Sequence, residues 1–253
     1  MKNFLGGALV AIIWQFVDET TRYEVRSAGS SIRLYTNGAF HTQYSPKKLF
    51  TGGVWDLLSL PALFTKLTPS PSVLMLGVGG GSAIHQLLRL LSPREILGIE
   101  LNPVHIEIAE SFFNLKSKNL KLLEADALKW IDKSQKQYDV LVDDLFIDSS
   151  DDPIRPFKCD EKWIRKLNRR VTKNGLLIQN HLTKDDALAS ASMSKRHFQS
   201  ALMFTTLRYE NVITAFYKQK VEALTGRFAA LRTIEGIDRK SLRNLQFKVQ
   251  KIF

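Results

Sequence analysis

The chain has 253 residues with a single cysteine, and its 36 Lys and Arg against 25 Asp and Glu give a formal net charge of +11. This length fits one α/β domain with a small additional domain, and the hydrophobic content of 44% excludes intrinsic disorder. One cysteine excludes a disulfide framework and a zinc site built from several cysteines, so we predict no metal site. The positive charge leaves open a polyanionic partner or a membrane surface.

The N-terminal part of the chain is predicted to be a small β domain with one helix. The apolar run Phe4–Val17 is too short for a membrane span and no cleavage pattern follows it, so we expect it to pack on the body of a cytoplasmic protein. Alternating side chains predict strands within residues 22–45. Asn37-Gly38 predicts a type I′ hairpin turn, because both residues tolerate positive φ. An apolar helix is predicted near Val54–Phe64.

The Pro- and Ser-rich segment Thr68–Ser72 predicts a boundary between domains at 1–68 and 69–253. Beyond it, strand and helix patterns alternate. The strands are predicted at Val73–Leu76, Ile96–Ile99, Leu120–Glu124, Val140–Val142, Leu176–Ile178 (after an Asn174-Gly175 turn), Leu202–Tyr209 and Val212–Tyr217. Repeated β–α units predict a doubly wound, mostly parallel, seven-stranded Rossmann-like sheet. Apolar residues at helical spacing from Val221 onward predict a C-terminal helical tail.

A glycine-rich loop follows the first strand of this sheet. Its members are Gly77, Gly79, Gly80, Gly81 and Ser82. Glycines at this place let a ligand approach the backbone closely, at the carboxyl ends of the strands where open α/β sheets bind ligands. Glu100 ends the second strand, where a carboxylate can accept hydrogen bonds from both hydroxyls of a ribose. The glycine loop together with the acidic strand end favours a site for a nucleoside-containing cofactor over a purely structural turn.

The neighbouring residues narrow the type of cofactor. Ser82 occupies the third position of the dinucleotide fingerprint, which argues against NAD, and no Lys-Ser/Thr pair follows to make a phosphate-binding P-loop. Asp126 ends the third strand, where it could accept from the adenine amine or simply cap the next helix. Asp143 and Asp144 end the fourth strand. Acidic strand ends suit a cationic cofactor without phosphate, such as S-adenosylmethionine.

Four motifs resemble those of the spermidine synthase (polyamine aminopropyltransferase) family, which belongs to the class I S-adenosylmethionine-dependent methyltransferase superfamily. They are the glycine motif Val73–Ser82, the acidic strand end Ile99–Pro103, the pair Asp126-Ala127 and the strand Tyr138–Asp144, and the similarity covers about residues 30–217. The resemblance implies a site for S-adenosylmethionine or its decarboxylated form. The implied cofactor contacts are Gly77, Gly79, Gly80, Gly81, Ser82, Glu100, Leu101, Asp126, Ala127 and Asp144.

The chain departs from this family at positions that affect the reaction. The family carries an Asp where this chain has Gly80, and that Asp contacts the aminopropyl amine and repels the carboxylate of ordinary S-adenosylmethionine. A second family Asp, which helps to hold the polyamine, is replaced by Ile147, with Asp148 one residue out of register. His41 stands in place of a cofactor-contacting Gln. We therefore predict methyl transfer ahead of aminopropyl transfer, with the polyamine aminopropyltransferase as the alternative.

Asp144 is the predicted catalytic carboxylate, which takes a proton from an acceptor amine or stabilises the developing ammonium. Asp143 should point to the opposite face of the sheet, because neighbouring residues of a strand alternate. The predicted acceptor is a small molecule. The residues expected to contact it are His41, Phe146, Ile147 and His181. Phe146 and Ile147 are apolar and lie where the acceptor is expected to enter, which predicts an acceptor less cationic than a polyamine.

A third hypothesis is a non-catalytic protein that binds nucleosides or RNA. It depends on a basic cluster along one predicted helix, formed by Lys162, Arg165, Lys166, Arg169, Arg170 and Lys173. A solvated outer face explains the same cluster, because Trp163, Ile164 and Leu167 form an apolar stripe on the other side of that helix. The sequence leaves RNA binding and a homodimer open.

Overall fold

The computed structural model describes residues 10–147, 154–221 and 245–253. Within these ranges the fold has two sheets: a small antiparallel sheet at the N-terminus, and a larger, mostly parallel sheet flanked by helices. The predicted fold class is confirmed. The predictions for Asp148 and for a helix across residues 222–244 lie outside the described residues.

The small sheet has four strands in chain order. They are β1 (Val10–Asp18), β2 (Thr21–Ala28), β3 (Ser31–Thr36) and β4 (Ala39–Tyr44). The predicted hairpin turn joins β3 to β4, with φ of +50° at Asn37 and +85° at Gly38. This turn fixes the register of β4, whose residues reach the larger domain.

The strand β1 is the described part of the apolar run Phe4–Val17. It pairs with β2 at the edge of the small sheet, and Trp14 packs on Phe112 with ring centroids 5.5 Å apart. Its other large apolar side chains remain exposed, at 43–61% of their surface. The run was expected to pack on the body of the protein, and this is met only in part. Backbone pairing with β2 positions the strand, while most of its large apolar side chains are not buried.

The helix predicted at Val54–Phe64 is shorter in the structure. A single α-helical turn, α1 (Asp56–Ser59), continues as a 3₁₀ turn over Leu60–Phe64. Pro61 near the start of the second turn has no N–H to donate, which prevents a continuous α-helix.

The large sheet has eight strands in the described part of the chain, in the order β12-β10-β11-β9-β8-β5-β6-β7. The strands are β5 (Ser72–Leu76), β6 (Glu95–Glu100), β7 (Leu120–Glu124), β8 (Tyr138–Asp143), β9 (Val171–His181), β10 (Ser200–Thr206), β11 (Val212–Tyr217) and β12 (Phe247–Lys251). Strands β5 to β9 pair in parallel, and β10 to β12 form an antiparallel edge. The edge strand β12, paired with β10, is an eighth strand beyond the predicted seven.

Among the residues that the structure describes, five helices connect these strands. They are α2 (Ser82–Leu91), α3 (Pro103–Ser111), α4 (Ala127–Lys133), α5 (Glu161–Arg169) and α6 (Lys184–Ser194). The segment of α6 carries mostly Ala and Ser and lacks a stripe of large apolar residues, so its periodicity did not predict a helix. Its N-cap is Thr183, whose side chain accepts from Asp186 N.

The predicted turn at Asn174-Gly175 is wrong, because β9 continues through both residues. Tyr138 of β8 pairs with Val171 and Val140 pairs with Leu176, so β9 carries extra residues in this interval as an irregularity. The extra length accommodates the Asn-Gly pair without reversing the chain.

The core lies on both faces of the central strands. Val73 and Met75 of β5 pack into the cluster with α1 and α2, while Leu74 and Leu76 pack into the cluster with α5. Burial on both faces fixes these strands, and with them the loops at their carboxyl ends. None of the helices in the described ranges is long and apolar enough to cross a membrane.

Candidate functional site

The candidate site lies at the carboxyl ends of β8, β5, β6 and β7. The loop after β5 begins at Gly77, whose φ is +81°. A Cβ on Gly77 would lie 2.2 Å from the backbone oxygen of Asp144, so only glycine allows this approach. The glycine loop is thereby held directly against the end of β8.

Each backbone N–H of residues 77–81 already has an acceptor within the protein. The acceptors are Ile99 O for Gly77, Glu100 Oε2 for Val78 and Gly79, Thr42 Oγ1 for Gly80 and Val78 O for Gly81, at 2.8–3.1 Å. Phosphate-binding loops work by pointing such N–H groups at the ligand. Here these five donors are bonded within the protein, which argues against a dinucleotide cofactor. Ser82 at the third position of the dinucleotide fingerprint argued against NAD in the same way.

Glu100 organises this loop. The residue is 8% exposed, and its carboxylate accepts from Val78 N and Gly79 N through Oε2 and from Asn102 N at 3.0 Å through Oε1. His105 Nδ1 lies 3.9 Å from Glu100 Oε1. A carboxylate has about four acceptor positions, so Glu100 keeps capacity for about one further hydrogen bond, as from a ribose hydroxyl. Next to it, Leu101 is 60% exposed.

Asp126 forms the N-cap of α4. Its Oδ1 accepts from Leu128 N at 2.8 Å and from Lys129 N at 3.4 Å, and Oδ2 lies 3.5 Å from Lys129 Nζ. Ala127 begins the helix and is buried. The structure therefore shows the capping role directly, and Oδ2 is the oxygen that an adenine amine could reach.

Asp144, the predicted catalytic carboxylate, follows β8. Burial raises its pKa to about 6; the hydrogen bond from Asn180 and the charge of Arg155 oppose this rise, while the charges of Asp143 and Glu100 add to it. Asn180 is itself held by Asn211, whose Nδ2 lies 3.1 Å from Asn180 Oδ1. A carboxylate with this pKa is mostly ionised at neutral pH, yet basic enough to accept a proton.

Asp143 faces the other side of the sheet, as the strand geometry predicts, and is fully buried. Arg155 pairs with both of its oxygens at 3.0 and 3.2 Å. Trp163 Nε1 and Gln179 Nε2 also donate to Asp143 Oδ2, at 2.9 and 2.8 Å. This saturated arrangement is structural. Sequence reasoning missed Arg155 and Asn180, because the fold brings them from separate segments and neither belongs to a local motif.

The four predicted acceptor contacts come from three separate segments of the chain. Phe146 and the 38% exposed Ile147 follow Asp144, and Ile147 forms a β-bridge with Ile154. His41 lies beside His105, with ring centroids 5.3 Å apart, and therefore near Glu100.

His181 is 2% exposed, and its Nε2 lies 2.8 Å from Thr214 Oγ1. Burial and the charge of Arg155 lower its pKa to about 3. The imidazole is therefore neutral and sits inside the sheet structure, away from open solvent.

The basic cluster does not lie on one helix as predicted, because α5 ends at Arg169 and Lys173 belongs to β9. Arg170 is 8% exposed and donates to Gln135 and to Ile131 O, and Lys166 pairs with Asp132. The remaining members, which lie at the surface, are Lys162, Arg165, Arg169 and Lys173. The apolar stripe of Trp163, Ile164 and Leu167 is buried as expected.

Comparison with known proteins adds independent information. Residues 57–225 match the spermine/spermidine synthase domain family. Over 143 residues, half of this chain and 26% of the relative, the chain is 30% identical to polyamine aminopropyltransferase 1 of Streptomyces coelicolor. Over 133 residues, 49% of this chain and 20% of the relative, it is 25% identical to the eEF1A lysine and N-terminal methyltransferase homolog of Drosophila melanogaster. The chain thus matches less than half the length of either relative.

A solved structure supports the fold. The probable spermidine synthase from Corynebacterium glutamicum superposes with a TM-score of 0.72 at 15% identity, covering 95% of this chain and 91% of that one. At this identity the likeness concerns the fold alone.

Proposed function

Because the chain belongs to the spermine/spermidine synthase domain family, we propose that it transfers an alkyl group from an adenosyl sulfonium cofactor to a nucleophilic small-molecule acceptor. The observation that carries this proposal is the arrangement at the strand ends. The glycine loop has its N–H groups engaged by the protein, and the carboxylates of Glu100 and Asp144 flank it. Such a site favours a cationic ligand over a phosphorylated one.

The order of the strands supports one orientation of the cofactor. Strands β8, β5, β6 and β7 are neighbours in that sequence, and their ends carry Asp144, the glycine loop, Glu100 and Asp126. With adenine towards Asp126 and ribose at Glu100, the sulfonium end would lie over the glycine loop, facing Asp144. A single extended ligand along the sheet edge would meet all four elements.

Asp144 is the proposed base. The cofactor would supply a carbon activated by the adjacent sulfonium, and the acceptor nitrogen would form a bond to that carbon while the carbon–sulfur bond breaks towards sulfur. Asp144 takes the proton that the acceptor amine loses. Asn180 holds the Asp144 carboxylate in one orientation, at 2.7 Å, so that the acceptor can be placed in line with the leaving sulfur.

The comparisons favour aminopropyl transfer over the methyl transfer predicted from the sequence, because polyamine aminopropyltransferases predominate among the relatives. Aminopropyl transfer from decarboxylated S-adenosylmethionine is therefore our first candidate. Methyl transfer is the second, and one observation favours it. Gly80 has no space for the acidic side chain that the aminopropyltransferase motif carries there, since a Cβ would lie 2.8 Å from Thr42 Cγ2.

Calorimetric titration of the full chain with S-adenosylmethionine and with its decarboxylated form tests the proposal. We expect at least one form to bind, and expect Glu100→Gln to weaken that binding, because Gln cannot accept all three backbone N–H bonds made to Glu100. Mass spectrometry of products formed with putrescine then separates aminopropyl transfer from methyl transfer. Failure of the wild-type chain to bind either form would refute the proposed function.

A further inference from the structure

A cavity outside the cofactor site lies between the small sheet and the large domain. Its volume is about 260 Å³, and its walls come from the end of β4 with the loop that follows, from helix α2 and from the segment after α3. Among the residues that the structure describes, Ser82 is the one predicted cofactor contact at this wall. Its Oγ donates to Gln43 O of β4. The cavity is therefore separate from the acidic site at the strand ends.

Three cationic side chains from three segments line this cavity. Lys48 follows β4, Arg89 lies in α2 and Lys116 follows α3. The described part of the cavity wall contains no Asp or Glu. Lys48 is half-buried and Lys116 is exposed, and neither side chain makes an ion pair or a hydrogen bond with another described residue. The positive charge of these two lysines is thus not neutralised by any carboxylate within the described ranges.

The aromatic part of the wall is uncharged. The rings of Tyr44 and His85 stack, with centroids 4.3 Å apart and planes inclined by 19°. Burial lowers the pKa of His85, although the bond to Phe113 O opposes this, and burial raises the pKa of Tyr44 against the charge of Arg89. His85 Nε2 lies 2.8 Å from Phe113 O and donates to it, because a carbonyl oxygen only accepts. At neutral pH the charge of the cavity therefore comes from the lysines and the arginine.

The charge and the volume of the cavity indicate the class of ligand. A phosphate monoester carries a charge of about −1.5 to −2 at neutral pH, which suits a cavity lined by several cations, and lysine binds phosphate as a point charge. A volume of about 260 Å³ equals that of about nine water molecules at roughly 30 Å³ each, so the ligand must be small. A cationic cofactor or a polyamine would be repelled here.

We propose that this cavity is a second binding site, which takes a small organic phosphate monoester. The ligand would contact the loop after β4 on one side and α2 on the other, so its binding would stabilise the attachment of the small sheet to the large domain. This inference goes beyond the proposed function and does not depend on it, because the cofactor site is acidic whereas this cavity is basic.

Thermal unfolding and calorimetric titration of the full chain with glycerol 3-phosphate test the proposal, in a phosphate-free buffer at constant ionic strength. The midpoint of unfolding should rise with ligand concentration, because a ligand that binds the folded chain stabilises it. Lys48→Gln should weaken binding roughly tenfold. Lys116→Gln should weaken it less, because solvent screens an exposed charge.

The chain offers a matched control beside each of these lysines. Lys47→Gln and Lys118→Gln remove the same charge from exposed neighbours that do not line the cavity, so both should keep the wild-type affinity. The unfolding midpoint of each variant without ligand shows that the variant is folded. Equal losses of affinity in Lys47→Gln and Lys48→Gln would overturn the proposal, because attraction to general surface charge would then explain the binding.

Two further probes test the class of ligand. Uncharged glycerol should not bind, and succinate, a small dianion without phosphate, should bind more weakly than glycerol 3-phosphate. Succinate that binds as tightly would overturn the assignment to phosphate monoesters. Absence of any effect of glycerol 3-phosphate at millimolar concentrations would overturn the site itself and would leave the proposed function unaffected, since that is tested with the two cofactor forms.

Discussion

The side-chain amide of Asn180 donates to the carboxylate of Asp144, with Nδ2 and Oδ1 2.7 Å apart. This bond stabilises the ionised form of Asp144, yet burial outweighs it and raises the pKa to about 6. The opposing effects leave a carboxylate that is ionised at neutral pH but easily protonated. That property suits a group that must accept a proton from an acceptor amine, and it leads to the first three predictions.

Turnover should rise with pH as Asp144 ionises, with a midpoint at about 6. Asp144→Asn should reduce turnover by roughly 10² to 10⁴, the usual contribution of a general base, and should remove the rise. The measurement is a pH–rate profile with the cofactor form that binds. A wild-type rate that stays constant as the pH passes through about 6 would contradict the assignment of Asp144 as base.

The same pKa shift should appear in folding stability. The ordinary pKa of an Asp carboxyl is 3.8 and that of folded Asp144 is about 6, so the folded protein binds more protons than the unfolded chain between these values. Stability from this group is full below pH 3.8 and is lost as the pH rises through about 6. Asp56 is also buried, with a pKa of about 6, and changes stability with pH in the same direction. The test therefore compares the pH dependence of the wild-type chain with that of a variant that lacks only the Asp144 carboxyl. Urea unfolding at several pH values should show a shallower decline for Asp144→Asn than for the wild-type chain.

Removing the Asn180 amide should raise the pKa of Asp144 further, because the lost hydrogen bond stabilises the ionised form. In Asn180→Ala we expect the midpoint of the pH–rate profile to move to higher pH. Asn211→Ala is the graded control, since Asn211 only orients Asn180 and should move the midpoint less. A downward shift in Asn180→Ala would show that Asn180 does not act on Asp144 in this way.

Local patterns predicted the parts of the fold that depend on neighbours in the chain. The hairpin at Asn37-Gly38 and the buried strand β5 follow from turn chemistry and from an unbroken apolar run. The Asn174-Gly175 pair carries the same turn signal, but pairing of β9 with β8 overrides it, because the strand absorbs the extra residues in an irregularity. A sequence window does not contain that pairing.

The candidate site also combines features set by neighbours in the chain with features set by contacts between distant segments. Glu100 and Asp144 could be identified because each follows its own apolar strand. The partners that determine their chemistry, Thr42 above the loop and Asn180 beside Asp144, come from other elements and become visible only in three dimensions. For His181 the strand-end position also hid a partner, since its buried side chain lies against Thr214, and its contact with the acceptor stays a prediction.

Asp143 should be essential for stability. Asp143→Ala leaves the Arg155 guanidinium, which is 13% exposed, without its paired carboxylate, and the expected cost is about 3–5 kcal/mol. The control is Glu161→Ala, which breaks the exposed ion pair with Arg196 and should cost less than about 1 kcal/mol. Urea unfolding at neutral pH measures both. Equal costs for the two variants would mean that the Asp143 arrangement is not a structural anchor.

Asp126 can be tested for its two roles separately. Asp126→Asn keeps a side-chain oxygen to cap α4, so stability should stay close to that of the wild-type chain, whereas Asp126→Ala should lose about 1 kcal/mol. The Asn variant replaces the second oxygen, the one placed to receive the adenine amine, with an NH₂ group that cannot accept. Cofactor affinity should therefore fall in both variants, while unfolding changes only in Asp126→Ala. If affinity instead follows stability, falling in Asp126→Ala alone, then Asp126 acts as a helix cap without contacting adenine.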